Sequence, residues 1–324
     1  MERRAKLAVL SSPPTQEALP EAVDSFLRRG KARNLSPHTL AYYSTRLQAF
    51  TRYLQKRGLY LTPGDITPSV LRDFLADERE RVSAVTAEDS YITLRAFFRY
   101  LVNEEVLTDS PMERVEKVRV PRKLVETFTA EQIEAMLATC AKSFQGARLR
   151  ALLLTLLDTG LRVSELCGLT LDDVAWDAQT LRVMGKGMRE REVPFGQAAR
   201  QALVTYVSRR GNHQGQTALF LTCYGDRLDR YRVQKLVRAC GAKAGITGVR
   251  CSPHTFRHTC AVMFLRNGGD AFSLQKLLGH SSLDMTRRYA ELAQADVVAK
   301  HRAASPGDRC LAAVQKGGGR KRLR

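Results

Sequence analysis

The most constraining feature of this sequence is the apolar run ARLRALLLTLLDTG, which covers residues 147–160. Its leucines fall on almost every side of a helical wheel, so the run predicts a long helix with hardly any polar face. Such a helix is stable in water only when other elements cover it all round. The chain is therefore expected to build a mostly helical domain around this segment.

The chain length favours two domains, since a single core rarely grows beyond about 250–300 residues and this chain has 324. Upstream of the apolar run, three segments carry apolar residues at spacings of three and four, which is typical of amphipathic helices. Two of them start with a capping residue followed by proline, Ser36–Pro37 and Thr67–Pro68. We expect a flexible lead-in at residues 1–18, followed by a first helical domain at 19–110. A linker at 111–126 then leads to a second domain at 127–304, and a basic tail covers 305–324.

One segment of the second domain, DDVAWDAQTLRVMGKGMREREVPF, has the alternation of a β-hairpin. Apolar and polar residues alternate along it, and Gly185, Lys186 and Gly187 form a hairpin-like turn in the middle. The segments that follow return to helical spacing. The sequence therefore predicts a mainly α fold (α+β), in which an all-helical domain precedes a mostly helical domain with a small antiparallel β-sheet.

The charge balance indicates a polyanionic partner. The chain has 52 Lys and Arg against 33 Asp and Glu, a formal net charge of +19. The excess runs along the whole chain, which is more typical of nucleic-acid binding than of charge kept for solubility.

The cysteine and apolar patterns exclude other classes of protein. The seven cysteines are scattered without a C-x-x-C pair, so we expect reduced thiols, with no zinc site. No apolar run reaches the roughly 18 residues of a membrane span. The apolar piece near the N-terminus is too short for a signal peptide. We expect a cytoplasmic protein.

The segment SPHTFRHTC, residues 252–260, gathers two histidines and an arginine at the start of a predicted helix. His254 and Arg257 are three residues apart and share a face. The H-x-x-x-H spacing of His254 and His258 also occurs in zinc-protease helices, but Thr255 stands where the glutamate would be. The fixed charge of Arg257 also disfavours a dication. An anion clamp and a structural cluster both remain possible on these residues alone.

Three further motifs carry residues suited to phosphate chemistry. In TGLRVSEL, Arg162 precedes Glu165 by three residues, so the carboxylate can hold the guanidinium. In LGHSSLDMTRRY, His280 is followed nine positions later by Tyr289. Lys186 stands at the tip of the predicted hairpin.

Together these motifs resemble the tyrosine recombinases, the phage-integrase and Xer family, over roughly residues 20–300. Six positions agree in order and local context: Arg162, Lys186, His254, Arg257, His280 and Tyr289. The resemblance identifies residues 19–110 as a core-binding domain that contacts DNA and residues 127–304 as the catalytic domain.

The resemblance implies a role for each position. Tyr289 attacks a DNA phosphate and forms a 3′-phosphotyrosyl bond. Arg162 and Arg257 hold the phosphate, and Glu165 supports them. The three remaining roles are proton transfer or hydrogen bonding: His254 is the acid–base partner, Lys186 protonates the leaving 5′ oxygen, and His280 donates to a non-bridging oxygen. Neither a metal ion nor a cofactor is expected.

Other residues near these positions have more than one possible role. His258 is expected to pack or hydrogen-bond. Arg189 and Arg191 lie close to Lys186 in sequence and make its assignment less secure than those of the two arginines. Arg287 and Arg288 flank Tyr289 as phosphate contacts or as solvated charges.

The resemblance also implies partners and a reaction sequence. The expected partner is double-stranded DNA, bound at paired sites by a homo-tetramer, or by a hetero-tetramer with a paralogue, that exchanges strands through a Holliday junction. The exchange serves integration or excision of a mobile element, or resolution of chromosome dimers. Two alternatives are a type IB topoisomerase and a DNA-binding module that has lost catalysis. The LGH motif and the two-domain length favour the recombinase, and the complete set of six residues argues against the silent module.

Overall fold

The computed structural model describes residues 18–120, 126–185, 190–211, 215–279, 289, 301 and 305–308. The chain divides into two compact units between Lys123 and Leu124. Each unit has its own hydrophobic core. Among the described residues the fold is mainly helical with one small antiparallel sheet, which confirms the predicted fold class.

The first unit is a bundle of four helices, α1 (Leu19–Ala32), α2 (Pro37–Lys56), α3 (Pro68–Arg81) and α4 (Ala84–Asn103). The predicted starts of α2 and α3 are present: the side chains of Ser36 and Thr67 accept backbone N–H bonds at 3.1 and 3.4 Å, and a proline follows each. Aromatic side chains fill much of the core, which is typical of a small domain that must bury a large area with few residues.

The core of the first unit continues into the segment predicted as a linker. Met112, Val115 and Val118 are buried in it, and the hydroxyl of Tyr91 donates to the carbonyl of Val115 at 3.3 Å. A short 3₁₀ turn, Pro111–Arg114, begins this stretch. The apolar side chains of this segment are buried because the 3₁₀ turn packs against α3 and α4.

The second unit is built around the apolar helix that the sequence singled out. Its helices are α5 (Ala130–Ala138), α6 (Phe144–Thr159), α7 (Val163–Gly168), α8 (Gln197–Arg210), α9 (Arg230–Lys243), α10 (Pro253–Arg266) and α11 (Ala271–Leu278). Helix α6 packs against α8 on one side and α10 on another. Gly160 ends α6 in a left-handed conformation with φ of 59°.

The predicted hairpin is part of a three-stranded antiparallel sheet of β1 (Val174–Ala175), β2 (Thr180–Met184) and β3 (Glu190–Pro194). Leu181 pairs with Val193, and Val183 pairs with Arg191. Because paired residues point to the same face of an antiparallel sheet, Arg191 shares the inward face with the buried Val183 and Val193. The tip of the hairpin, residues 186–189, lies outside the described residues.

Candidate active site

Arg162 and Glu165 are joined by the start of α7. Arg162 is the residue before the helix, and its backbone N–H donates to Glu165 Oε2 at 2.8 Å. Its guanidinium Nη1 donates to Glu165 Oε1 at 2.9 Å. The carboxylate side chain is 5% exposed and the Arg162 side chain 37%. The guanidinium of Arg162 is therefore accessible to solvent while the buried carboxylate of Glu165 holds it in place.

Arg257 lies on α10 and is buried. The helix starts at Pro253, after Ser252, whose hydroxyl accepts from the backbone N–H of Thr255. Arg257 donates from Nη1 to the carbonyl of Gly160 at 2.6 Å and from Nη2 to that of Leu278 at 2.9 Å. Burial, followed by the positive charge of Arg162, lowers the pKa of Arg257 to about 10. The group stays protonated at neutral pH.

A third guanidinium, that of Arg191, belongs to the same cluster. It donates from Nη1 and Nη2 to the two oxygens of Glu165, both at 3.0 Å. From the sequence alone, Arg191 is identifiable only as a neighbour of Lys186. The signal that could have placed it is the strand alternation, which sets Arg191 on the same face as Val193.

The three arginines meet at the C-terminal end of α11, where they bond to three successive carbonyls. Arg191 Nε donates to Leu277 at 3.4 Å, Arg257 Nη2 to Leu278 at 2.9 Å, and Arg162 Nη2 to Gly279 at 3.4 Å. The last carbonyls of a helix have no partner within it and carry partial negative charge. The cluster therefore supports this helix end, which leads directly to His280 in the sequence.

Glu165 is ionised within the cluster. Burial raises the pKa of its carboxyl, but hydrogen bonds from Arg191 and Arg162 outweigh that effect and the net pKa is lowered. Arg162 and Arg191 bond to this carboxylate, and Arg257 interacts with it only electrostatically. The three guanidiniums and one carboxylate together leave two positive charges in the cluster. Such an arrangement is suited to binding a dianionic or developing phosphate charge.

Tyr289 is buried beside α10, with 1% of its surface exposed. Its hydroxyl lies 2.7 Å from His258 Nδ1. Burial raises the pKa of Tyr289, although the charge of Arg257 opposes the shift. Burial, His254 and Arg257 lower the pKa of His258. A protonated phenol and a neutral imidazole fit a hydrogen bond that runs from the tyrosine to the histidine.

His254 lies one helical turn before Arg257 and is exposed. Partial loss of hydration around its ring, followed by the charges of Arg257 and Arg162, lowers the pKa of His254. The predicted site residues Arg162, Glu165, His254, Arg257 and Tyr289 thus all lie in the second unit. The histidine that contacts the Tyr289 hydroxyl is His258, which the sequence predicts to pack or hydrogen-bond. Lys186 and His280 lie outside the described residues.

Among the described residues, no group of three or more His, Cys, Asp or Glu side chains is arranged to hold a metal ion. None of the helices that the structure describes is long and apolar enough to cross a bilayer.

Two family models match this chain, one for each unit. The phage integrase family matches residues 126–296, and the N-terminal SAM-like domain of phage integrases matches residues 23–105. A relative named tyrosine recombinase XerC, from Pelobacter propionicus, is 36% identical over 262 residues. That match covers 80% of this chain and 86% of the relative.

Solved structures share the fold. The XerH site-specific recombinase, in a post-cleavage complex with palindromic difH substrate, superposes with a TM-score of 0.71 at 22% identity, and covers 90% of this chain and 85% of its own. A lambda integrase tetramer bound to a Holliday junction superposes with a TM-score of 0.67 at 20% identity, and covers 85% of this chain and 80% of its own.

The family match and the similarity to XerC show that the chain is an enzyme of the tyrosine recombinase class, whose chemistry is DNA recombination. Within that class the chain belongs to the phage integrase family and is Xer-like.

Proposed function

We propose that the protein cuts and rejoins duplex DNA at specific sites through a covalent bond to Tyr289 and a Holliday-junction intermediate. One observation carries the assignment of the site: the hydroxyl of the buried Tyr289 interacts electrostatically with Arg257, one of three guanidiniums gathered near a single buried carboxylate. Such a pocket favours extra negative charge on a phosphate next to an oxygen nucleophile.

Arg162 and Arg257 would bind the scissile phosphate. Arg162 is partly exposed, and Arg257 is buried with its orientation set by two backbone carbonyls. Guanidiniums stay charged and bind phosphate oxygens in pairs. Because the cluster exists before DNA binds, it stabilises the five-coordinate phosphorus without reorganising.

Tyr289 would attack the phosphorus while the bond to the 5′ oxygen breaks, which leaves a 3′-phosphotyrosyl ester and a free 5′ hydroxyl. The phenolic proton needs an acceptor, and the neutral imidazole of His254 is the candidate on the exposed side of the cluster. His258 holds the phenol in the buried arrangement. For Lys186 as the acid at the 5′ oxygen and His280 as a donor to a non-bridging oxygen, the support is their position in the family motifs.

The unit that precedes the catalytic one would serve as the core-binding domain, and four protomers would act together on two DNA sites. The lambda integrase tetramer on a Holliday junction has the fold of this chain and supports that assembly. A homo-tetramer, or a hetero-tetramer with a paralogue, is consistent with the similarity to XerC. We propose a cytoplasmic enzyme, since its substrate is DNA, that serves integration and excision or dimer resolution.

The test is covalent trapping on a nicked duplex that carries a site selected from random DNA by the protein itself. Wild-type protein and Tyr224→Phe, which changes an exposed tyrosine of the same unit, should form the adduct. Tyr289→Phe should bind the duplex and form none. An adduct that persists in Tyr289→Phe would contradict the assignment. Relaxed circles without any Holliday junction would indicate a topoisomerase instead.

A further inference from the structure

We propose that Arg191 is a positioning residue of the cleavage centre: it neutralises Glu165, so that Arg162 keeps its charge available for the DNA phosphate. The inference rests on the proposed function and adds a residue outside the six positions of the family motif. Arg191 acts through Glu165 and not through contact with the substrate.

The contacts show which arginine satisfies the carboxylate. Arg191 bonds to both oxygens of Glu165 in a paired geometry, with both distances at 3.0 Å. Arg162 contributes one side-chain bond to Oε1 and its backbone N–H to Oε2. The Arg191 side chain is 16% exposed and that of Arg162 is 37% exposed. The carboxylate is thus held mainly from the protein side, and the more exposed guanidinium can turn toward a ligand.

The charge count shows why this matters. With Arg191 present, Arg162, Arg191 and Arg257 exceed Glu165 by two positive charges. Without Arg191 the excess is one, and the buried carboxylate would compete with the DNA phosphate for Arg162. Charges interact strongly where little water separates them, so this competition weakens the clamp at the transition state.

The fold holds Arg191 in this position from two sides. Its place on β3 opposite Val183 points the side chain inward, and its Nε bonds to the carbonyl of Leu277 at the end of α11. Gly279 makes the approach possible, since a Cβ at that position would lie 3.0 Å from the Arg191 guanidinium carbon. These contacts fix the position of the Arg191 guanidinium as well as its charge.

The first experiment compares Arg191→Gln with Arg182→Gln, a control that removes an exposed arginine of β2 paired with Asp173. Adduct formation on the nicked duplex is followed in single turnover with excess protein, and duplex binding is measured separately. Loss of one preorganised electrostatic contact typically lowers a rate by about 10²–10³-fold. We expect a loss of that size for Arg191→Gln with the Kd changed less than about threefold, and no change for Arg182→Gln.

A double variant separates this role from a structural one. If Arg191 acts by neutralising Glu165, removing the carboxylate as well should restore cleavage, so Glu165→Gln with Arg191→Gln should cleave at least about ten times faster than Arg191→Gln. Arg191→Lys, which keeps the charge, should also exceed Arg191→Gln. If Arg191→Gln does not fold, the double variant is compared with Glu165→Gln, and the two rates should agree within about tenfold.

Defined outcomes would overturn the inference. A wild-type cleavage rate in a folded Arg191→Gln would do so, as would a double variant slower than Arg191→Gln, or equal rates for the Lys and Gln variants. Failure of the proposed function is a separate result, since the wild-type protein would then form no Tyr289-dependent adduct at all.

Discussion

At the scale of single residues, burial and neighbouring charges shift the pKa values of Arg257, His258 and Tyr289. The imidazole of His258 is kept neutral and the phenol of Tyr289 is kept protonated, so the two share a hydrogen bond of 2.7 Å. Arg257 remains charged at neutral pH although burial lowers its pKa to about 10. Burial therefore favours the protonated form of the Tyr289 phenol in the DNA-free protein.

The lowered pKa of His258 makes folding stability sensitive to acid. Below the ordinary histidine pKa of about 6.5, the unfolded state takes up a proton that the folded state resists. The free energy of unfolding should therefore fall as the pH drops from about 6.5 through the lowered folded-state pKa. His258→Gln removes this group, so its stability should decline less steeply.

Urea unfolding of both proteins between pH 8 and pH 5 measures the difference. His254 has its pKa shifted in the same direction, so part of the acid sensitivity should remain in the variant. Parallel curves for wild-type protein and His258→Gln would contradict the prediction.

At the scale of elements, the end of α6 is the point where the fold and the site meet. Gly160 ends the helix with a positive φ, and its carbonyl accepts from Arg257. A Cβ at this position would lie 2.5 Å from a methyl carbon of Leu278 and 3.1 Å from Cys260 Sγ. The glycine is therefore required both by backbone conformation and by the close approach of α10 and α11.

Gly160→Ala should lose stability for both reasons, at about 1–2 kcal/mol for the left-handed backbone and about 1–3 kcal/mol for crowding. Gly245→Ala is the matched control, because Gly245 has φ of 68° and open space around its Cα. It should lose only the backbone part. Equal losses in the two variants, measured by chemical unfolding, would show that crowding at Gly160 is absent.

At the scale of the whole molecule, the net charge of +19 favours binding to a polyanion and makes that binding depend on salt. Many of these charges are arginines and lysines on exposed helix faces of both units. Phosphate contacts of this kind release counterions, so binding weakens as salt rises.

Duplex affinity should fall by about 10³–10⁵-fold between 50 and 200 mM salt, the loss typical of six to ten phosphate contacts. Fluorescence anisotropy with a labelled duplex of unrelated sequence measures this term without base readout. An affinity that changes less than about tenfold over this range would mean that the charge serves solubility.

The fold class and several of the helix starts follow from local patterns in the sequence. Serine or threonine followed by proline marks the beginning of a helix through local backbone chemistry, and α2, α3 and α10 start at those positions. The apolar run that ends at Gly160 predicts a buried helix because its leucines fall on nearly every side of the helix. The spacing of Arg162 and Glu165 also predicted a contact, since both lie on one turn.

Contacts between residues that are far apart in the sequence depend on how the elements pack in three dimensions. The side chain of Arg191 on β3 contacts both Glu165 on α7 and the end of α11. No residue spacing within a single element specifies contacts between three elements. The same holds for His258 and Tyr289, which are 31 residues apart. Periodicity determines which side of an element faces inward, whereas packing of the core determines what that side touches.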